Sequence, residues 1–214
     1  MTSIYCSVDD VRSLTGLSSS DVSDVIVSGI IQHSTAQLNA DIQTKWVDEK
    51  AGYISSEKQN KVDGGNTKFY TAHYPIGDRD DNGVISGVDV YAYTINSAGN
   101  RTDYVVSGID YSDRGGPLWL DSAPTAGNAL YFTYYSSPVD MESPHKLVNL
   151  ACSQLAAALC FTRIDVTKVQ SYRVGKIAVM KQSQAYDIYR MQYYDTINRI
   201  RQEMFKIAVG DITL

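Results

Sequence analysis

Apolar residues crowd most densely between Leu147 and Phe161, where Asn149, Ser153 and Gln154 are the only polar side chains. Ser143 before Pro144 reads as an N-cap with proline at the first helical position, where the missing N–H costs nothing. The pattern predicts a core helix over Ser143–Thr162, with Ala151, Ala156, Ala157 and Ala158 letting neighbours approach closely. It is too short and too polar to cross a membrane. Upstream, Ser7-Val8-Asp9-Asp10 sets a hydroxyl cap ahead of a carboxylate, a variant capping box. A short helix follows, with Val11 and Leu14 on its apolar side and Gly16 as its stop. From about Asp21 to Ile42, Val27, Ile31, Leu38 and Ile42 keep near-helical spacing, and Val22, Val25, Ile26 and Ile30 add a second stripe. Trp46 is placed to close the end of that core. A last helix is expected over Ser183–Ala208, where Tyr193, Ile197, Ile200, Met204 and Ile207 form one seam of coiled-coil type.

The middle of the chain changes period. Asp48–Asn66 is polar, carries Gly64-Gly65 and reads as a connection with little regular structure. Alternation then replaces helical spacing in Lys68–Tyr74, Val88–Ile95, Tyr104–Val106, Leu118–Leu120 and Ala129–Tyr135, with turns at Asn96–Asn100 and Asp113–Gly116. The chain is therefore α+β. Residues 1–47 and 140–214 read as a four-helix domain, and residues 48–139 as a linker plus an inserted antiparallel β domain, either a sheet or a small barrel. Arg163–Gln182 is mixed and reads as a short strand or an ordered loop.

Charge and composition narrow the function. A formal net charge of −5 argues against non-specific nucleic-acid binding as the main work. Met1–Cys6 lacks the basic start and apolar run of a signal peptide. Cys6, Cys152 and Cys160 have no metal-ligand spacing and no reason to be disulfides, and Cys152 and Cys160, in the core helix, read as small hydrophobes. The 16 tyrosines against 4 phenylalanines favour strands and interfaces, where one ring edge stays wet. His33, His73 and His145 fall on separate elements, and no Walker loop, GxGxxG or HExxH occurs, so no catalytic constellation emerges.

The sharpest motif is Asp78-Arg79-Asp80-Asp81-Asn82-Gly83-Val84-Ile85-Ser86-Gly87-Val88-Asp89. In a calcium loop, Asp78, Asp80 and Asn82 would supply side-chain oxygens, Val84 a carbonyl, Ser86 the ninth position and Asp89 the closing carboxylate. Aspartate at the end is shorter than the usual bidentate glutamate. The competing reading is an acidic turn between strands, since Asp-Asn-Gly is itself a turn signal. The basic set Lys168, Arg173, Lys176 and Lys181 reads either as a solvated face or as a channel- or partner-facing one.

Val8-Asp9-Asp10-Val11-Arg12, Leu14-Thr15-Gly16 and Ser19–Ile42, followed later by the core helix, Ser171-Tyr172-Arg173-Val174-Gly175 and a final helix, resemble the head–tail connector (adaptor) proteins of tailed bacterial and archaeal viruses. The resemblance covers the two helical ends, roughly half of the chain, and the β insertion departs from the simplest members. It implies a non-enzymatic structural protein of the virion neck, assembled in the host cytoplasm and not in a membrane. It further implies a homo-oligomeric ring, typically twelvefold, between the portal protein and the tail or tail-completion proteins. Packaged DNA would pass through that ring without sequence recognition. On this reading the C-terminal region, with Arg199, Arg201, Lys206, Ile212 and Leu214, grips the portal. A calcium-dependent module recognising a glycan or protein is the alternative from a different functional class.

Overall fold

The computed structural model describes residues 5–54, 59–110, 117–138, 146–164 and 175–210, with side chains of the last stretch described from 184 to 202. The chain divides into two compact units: Met1–Ile42 with Pro144–Leu214, and Gln43–Ser143.

In the first unit, α1 (Val8–Thr15) begins at the expected cap. Ser7 Oγ accepts the Asp10 N–H, the Asp10 carboxylate accepts the Ser7 N–H, and Gly16 ends the helix at φ 69°. The Ser7 hydrogen bonds hold the Asp10 carboxyl below its usual range. α2 (Asp24–Ile42) starts later than Asp21 because Asp21 is used in a turn, its carboxylate accepting from the Ser18 N–H and hydroxyl. Arg12 closes this corner, donating to the Leu17 and Val22 carbonyls and pairing with Asp24. On α2, Val27, Ile31, Leu38 and Ile42 are buried as expected, but the second stripe divides. Val22 and Ile30 are buried, whereas Val25 (83% exposed) and Ile26 face outward.

α3 (Lys146–Phe161) buries Val148, Ala151, Cys152, Ala156, Ala157, Ala158 and Cys160. α4 runs from Gly175 to Gly210, so it starts well before Ser183 and replaces part of the expected strand or loop. Ala178, Met180, Lys181 and Gln182 are strong helix formers, and their propensity prevails over the short β-like run Ile177–Val179. Tyr193, Ile197 and Ile200 of the expected seam are buried. Met204 and Ile207 have side chains outside the described residues. Hydrogen bonds from α4 reach the other three helices: Tyr189 to the Leu14 carbonyl, Tyr193 to the Asp41 carboxylate and Thr196 to the Gln154 amide oxygen.

The second unit holds two antiparallel sheets rather than a closed barrel. β1 (Thr44–Lys50), β7 (Ala129–Ser136), β3 (Val90–Ile95) and β4 (Arg101–Tyr104) lie in the order β1-β7-β3-β4. β2 (Lys68–Phe69), β6 (Leu118–Leu120) and β5 (Val106–Ile109) lie in the order β2-β6-β5. Val90, Ala92, Leu130, Phe132 and Tyr134 from the first sheet join Phe69, Val106, Leu118 and Leu120 from the second in one apolar cluster. Burying these side chains contributes about 1.5–3 kcal/mol for each large one.

Two expectations are corrected here. Thr44–Lys50, read as the end of the helical core and the start of a linker, is a strand paired with β7, bulged between Trp46 and Glu49 with Asp48 at φ 54°. Lys68–Tyr74 is a strand only at its first two residues. Beyond them the backbone groups find side chains instead of a ladder: Asn60 brackets both the N–H and the carbonyl of Tyr70, Glu49 accepts the Ala72 N–H, and Tyr134 Oη accepts the His73 N–H.

Candidate functional site

The Asp78–Asp89 loop enters a 3₁₀ turn at Gly87–Asp89, which leads directly into β3. Gly83 takes φ 85° and Asp81 φ 55°, so the chain curls back on itself at the motif's centre. Gly87 is required by close approach: a Cβ there would lie 1.8 Å from the Val106 carbonyl oxygen. The curl gathers carboxylate oxygens of Asp78, Asp80 and Asp89 within 4.8 Å of one another. Oxygens this close together could hold a metal ion between them.

Asp78 and Asp89 are almost fully buried, 1% and 0% exposed, while Asp80 is open to solvent. The Asp78 oxygens accept the Asn82 N–H at 3.2 Å and the Gly83 N–H at 2.6 Å. Those of Asp89 accept the Arg79 N–H at 2.7 Å and the Ser86 N–H at 2.8 Å. Each carboxylate oxygen has a second lone pair, so these bonds orient the groups without exhausting them. Burial pushes the Asp78 carboxyl up to about 6, the facing Asp80 and Asp89 carboxylates adding to the rise against the pull of the backbone donors. Burial raises Asp89 as well.

The remaining loop positions are arranged differently. Asn82 donates to Asp80 and its own oxygen accepts the Val84 N–H at 2.8 Å, so it serves the turn. Val84 is exposed and Ser86 half-buried.

On α4, Arg199 is exposed at an open groove of about 520 Å³ shared with Gln154, Asp195 and Thr196. Arg201 is exposed too, but it donates to the Asp41 carbonyl at 2.6 Å, which commits part of its fork to the last turn of α2. Lys176, Lys181 and Lys206 belong to α4, with side chains outside the described residues. Lys168, Arg173, Ile212, Leu214 and His145 also lie outside them.

Sequence spacing gave no hint of a polar cluster in the second unit. Trp46 and His73 stack with ring centroids 3.4 Å apart, and His73 Nε2 lies 3.6 Å from the Glu49 carboxylate. Tyr134 donates to that carboxylate at 2.8 Å. The Arg101 guanidinium of β4 sits 3.9 Å from the ring centroid of Tyr93 on β3, and Tyr93 stacks on Tyr131. Only the surplus of tyrosine over phenylalanine pointed toward such contacts. Compared with protein-family models, curated proteins and solved structures, the chain shows no match.

Proposed function

We propose that this chain is a structural protein of a virion neck, forming a ring between portal and tail that extends the DNA channel and gives tail or completion proteins a docking surface. The observation that carries the reading is the apolar surface left on the helical unit. Val25 and Ile26 of α2 and Ile188, Met191 and Tyr194 of α4 remain exposed. Large apolar groups in that number on adjacent helical elements favour contacts with further protein. The capped helical pattern that resembles connectors lies in the same unit. Among the described residues no helix is long and apolar enough to cross a membrane.

In this reading the C-terminal part of α4 and the residues after it meet the portal. Arg199 offers a planar donor fork to acidic partner groups, and Ile212 and Leu214 add apolar contacts. Many copies in one ring multiply a weak single contact through multivalency. The test is co-sedimentation of the purified chain with DNA-filled heads. Several copies per head, on portal-bearing heads alone, are expected, and deletion of Gly210–Leu214 should weaken the association. Absence of binding to portal-bearing heads contradicts the proposal.

A second reading is supported by the carboxylate cluster: the β unit is a calcium-dependent recognition module and the helices present it. The two readings are compatible at the level of the loop, since calcium can stabilise a β unit in either setting. A glycan- or protein-binding activity that appears only with calcium would favour the second.

A further inference from the structure

The helical unit also holds a pair of thiols that neither reading uses. Cys6 lies just before the α1 cap and Cys152 in the middle of α3, 146 positions later, yet the Cys6 thiol donates to the Cys152 sulfur at 3.2 Å. Cys6 is 7% exposed and Cys152 is fully buried. Disulfide sulfurs stand about 2.05 Å apart, so an approach of about 1.2 Å separates contact from bond. Cys160, on the same helix, is a buried thiol pushed up to about 11 by burial, with Cys6 adding to the rise. Three sulfurs in one core region allow three pairings, and the contact singles out one of them.

We propose that Cys6 and Cys152 form a dithiol–disulfide couple, whose oxidised form ties the segment preceding α1 to the middle of α3. The oxidant is a hydroperoxide, of which hydrogen peroxide is the simplest. Its terminal oxygen is transferred to the Cys6 sulfur, giving a sulfenic acid and one water. The Cys152 sulfur then attacks the Cys6 sulfur, the S–S bond forms, and hydroxide leaves with the Cys152 thiol proton as a second water. Two thiols and one hydrogen peroxide thus become one disulfide and two waters. Cys6 reacts first because it retains some exposure, and Cys152 resolves it. The Cys152 contact and then burial hold the Cys6 thiol protonated, so oxidation is slow and follows local opening of the segment rather than the speed of a thiolate. Because the link joins residues 146 positions apart, it removes a large share of the unfolded chain's freedom, and the oxidised protein melts higher.

The experiment treats the full chain with hydrogen peroxide, denatures it, alkylates with iodoacetamide and weighs the intact protein and its tryptic peptides. One alkylation instead of three is expected, with Met1–Arg12 linked to Leu147–Arg163. The link should persist in Cys160→Ala, vanish in Cys152→Ala and be reversed by a dithiol reductant. Three alkylations throughout the time course, over-oxidised thiols without a link, or a link through Cys160 would each overturn the pairing. Cys152 and Cys160 share the peptide Leu147–Arg163, so fragmentation of the linked wild-type peptides, which shows which of the two carries the alkyl group, decides the matter even where a variant fails to fold. Equal melting temperatures for the linked and reduced chains would overturn its role as a tie.

Discussion

If the Asp78–Asp89 loop binds calcium, the ion competes with protons for the same carboxylates, and either one stabilises the β unit. Without metal, the Asp78 carboxyl is raised from 3.8 to about 6 in the folded chain. A displacement of roughly two units corresponds to about 3 kcal/mol between the protonated and ionised states. Because the folded value lies above the unfolded one, this stability is fully present below 3.8 and is lost as pH rises through about 6. Asp89 shifts in the same direction. The metal-free β unit is therefore expected to weaken from acid to neutral pH. A bound divalent cation favours the ionised carboxylates and opposes that loss. At a hundredfold excess over Kd, binding contributes about 2.7 kcal/mol. For a unit of about 100 residues each kcal/mol moves Tm by about 4–8 °C, so the expected rise is about 10–20 °C at neutral pH. The chain's 2 tryptophans, Trp46 and Trp119, both lie in the β unit, so tryptophan fluorescence reports its melting directly. Asp78→Asn should flatten the metal-free pH dependence and abolish the calcium shift. Identical neutral-pH melting curves with calcium and with chelator would refute a metal role. A pH-independent metal-free Tm would refute the carboxylate argument beneath it.

Three further outcomes follow from particular contacts. Arg201→Ala removes the bond to the Asp41 carbonyl and should cost the helical unit about 1 kcal/mol by chemical denaturation, whereas Arg199→Ala should leave its stability unchanged and reduce binding to portal-bearing heads. Tyr134→Phe deletes the hydroxyl between Glu49 and the His73 N–H and should destabilise the β unit by about 1–3 kcal/mol, read as a lowered midpoint in urea. Gly87→Ala sets a methyl against the Val106 carbonyl; a loss of about 3 kcal/mol is expected, and a wild-type melting temperature would show that the loop can yield.

What the sequence revealed depended on how local the determining interactions are. α1 was legible because its cap, carboxylate and stop lie within ten residues of Ser7, and each makes the bond its position suggested. The acidic loop was legible for the same reason, as its carboxylates are set by spacing alone. β1 was not. Thr44–Lys50 is mostly polar and largely exposed, and the bulge at Asp48 breaks the alternation that would have marked a strand. The outward turn of Val25 and Ile26 was equally hidden, because helical spacing places a residue on a face but does not say whether anything covers it. Cys6 and Cys152 meet only through tertiary packing, and no sequence interval announces the contact.

The neck-ring proposal is tested most directly by imaging tailed-virus particles, if the source of the chain yields them. Electron-microscopic class averages at the portal vertex, with the chain located by a specific label, should show several copies in a rotationally symmetric ring between portal and tail. A single copy, no rotational symmetry in this protein, or a label elsewhere on the particle would contradict it.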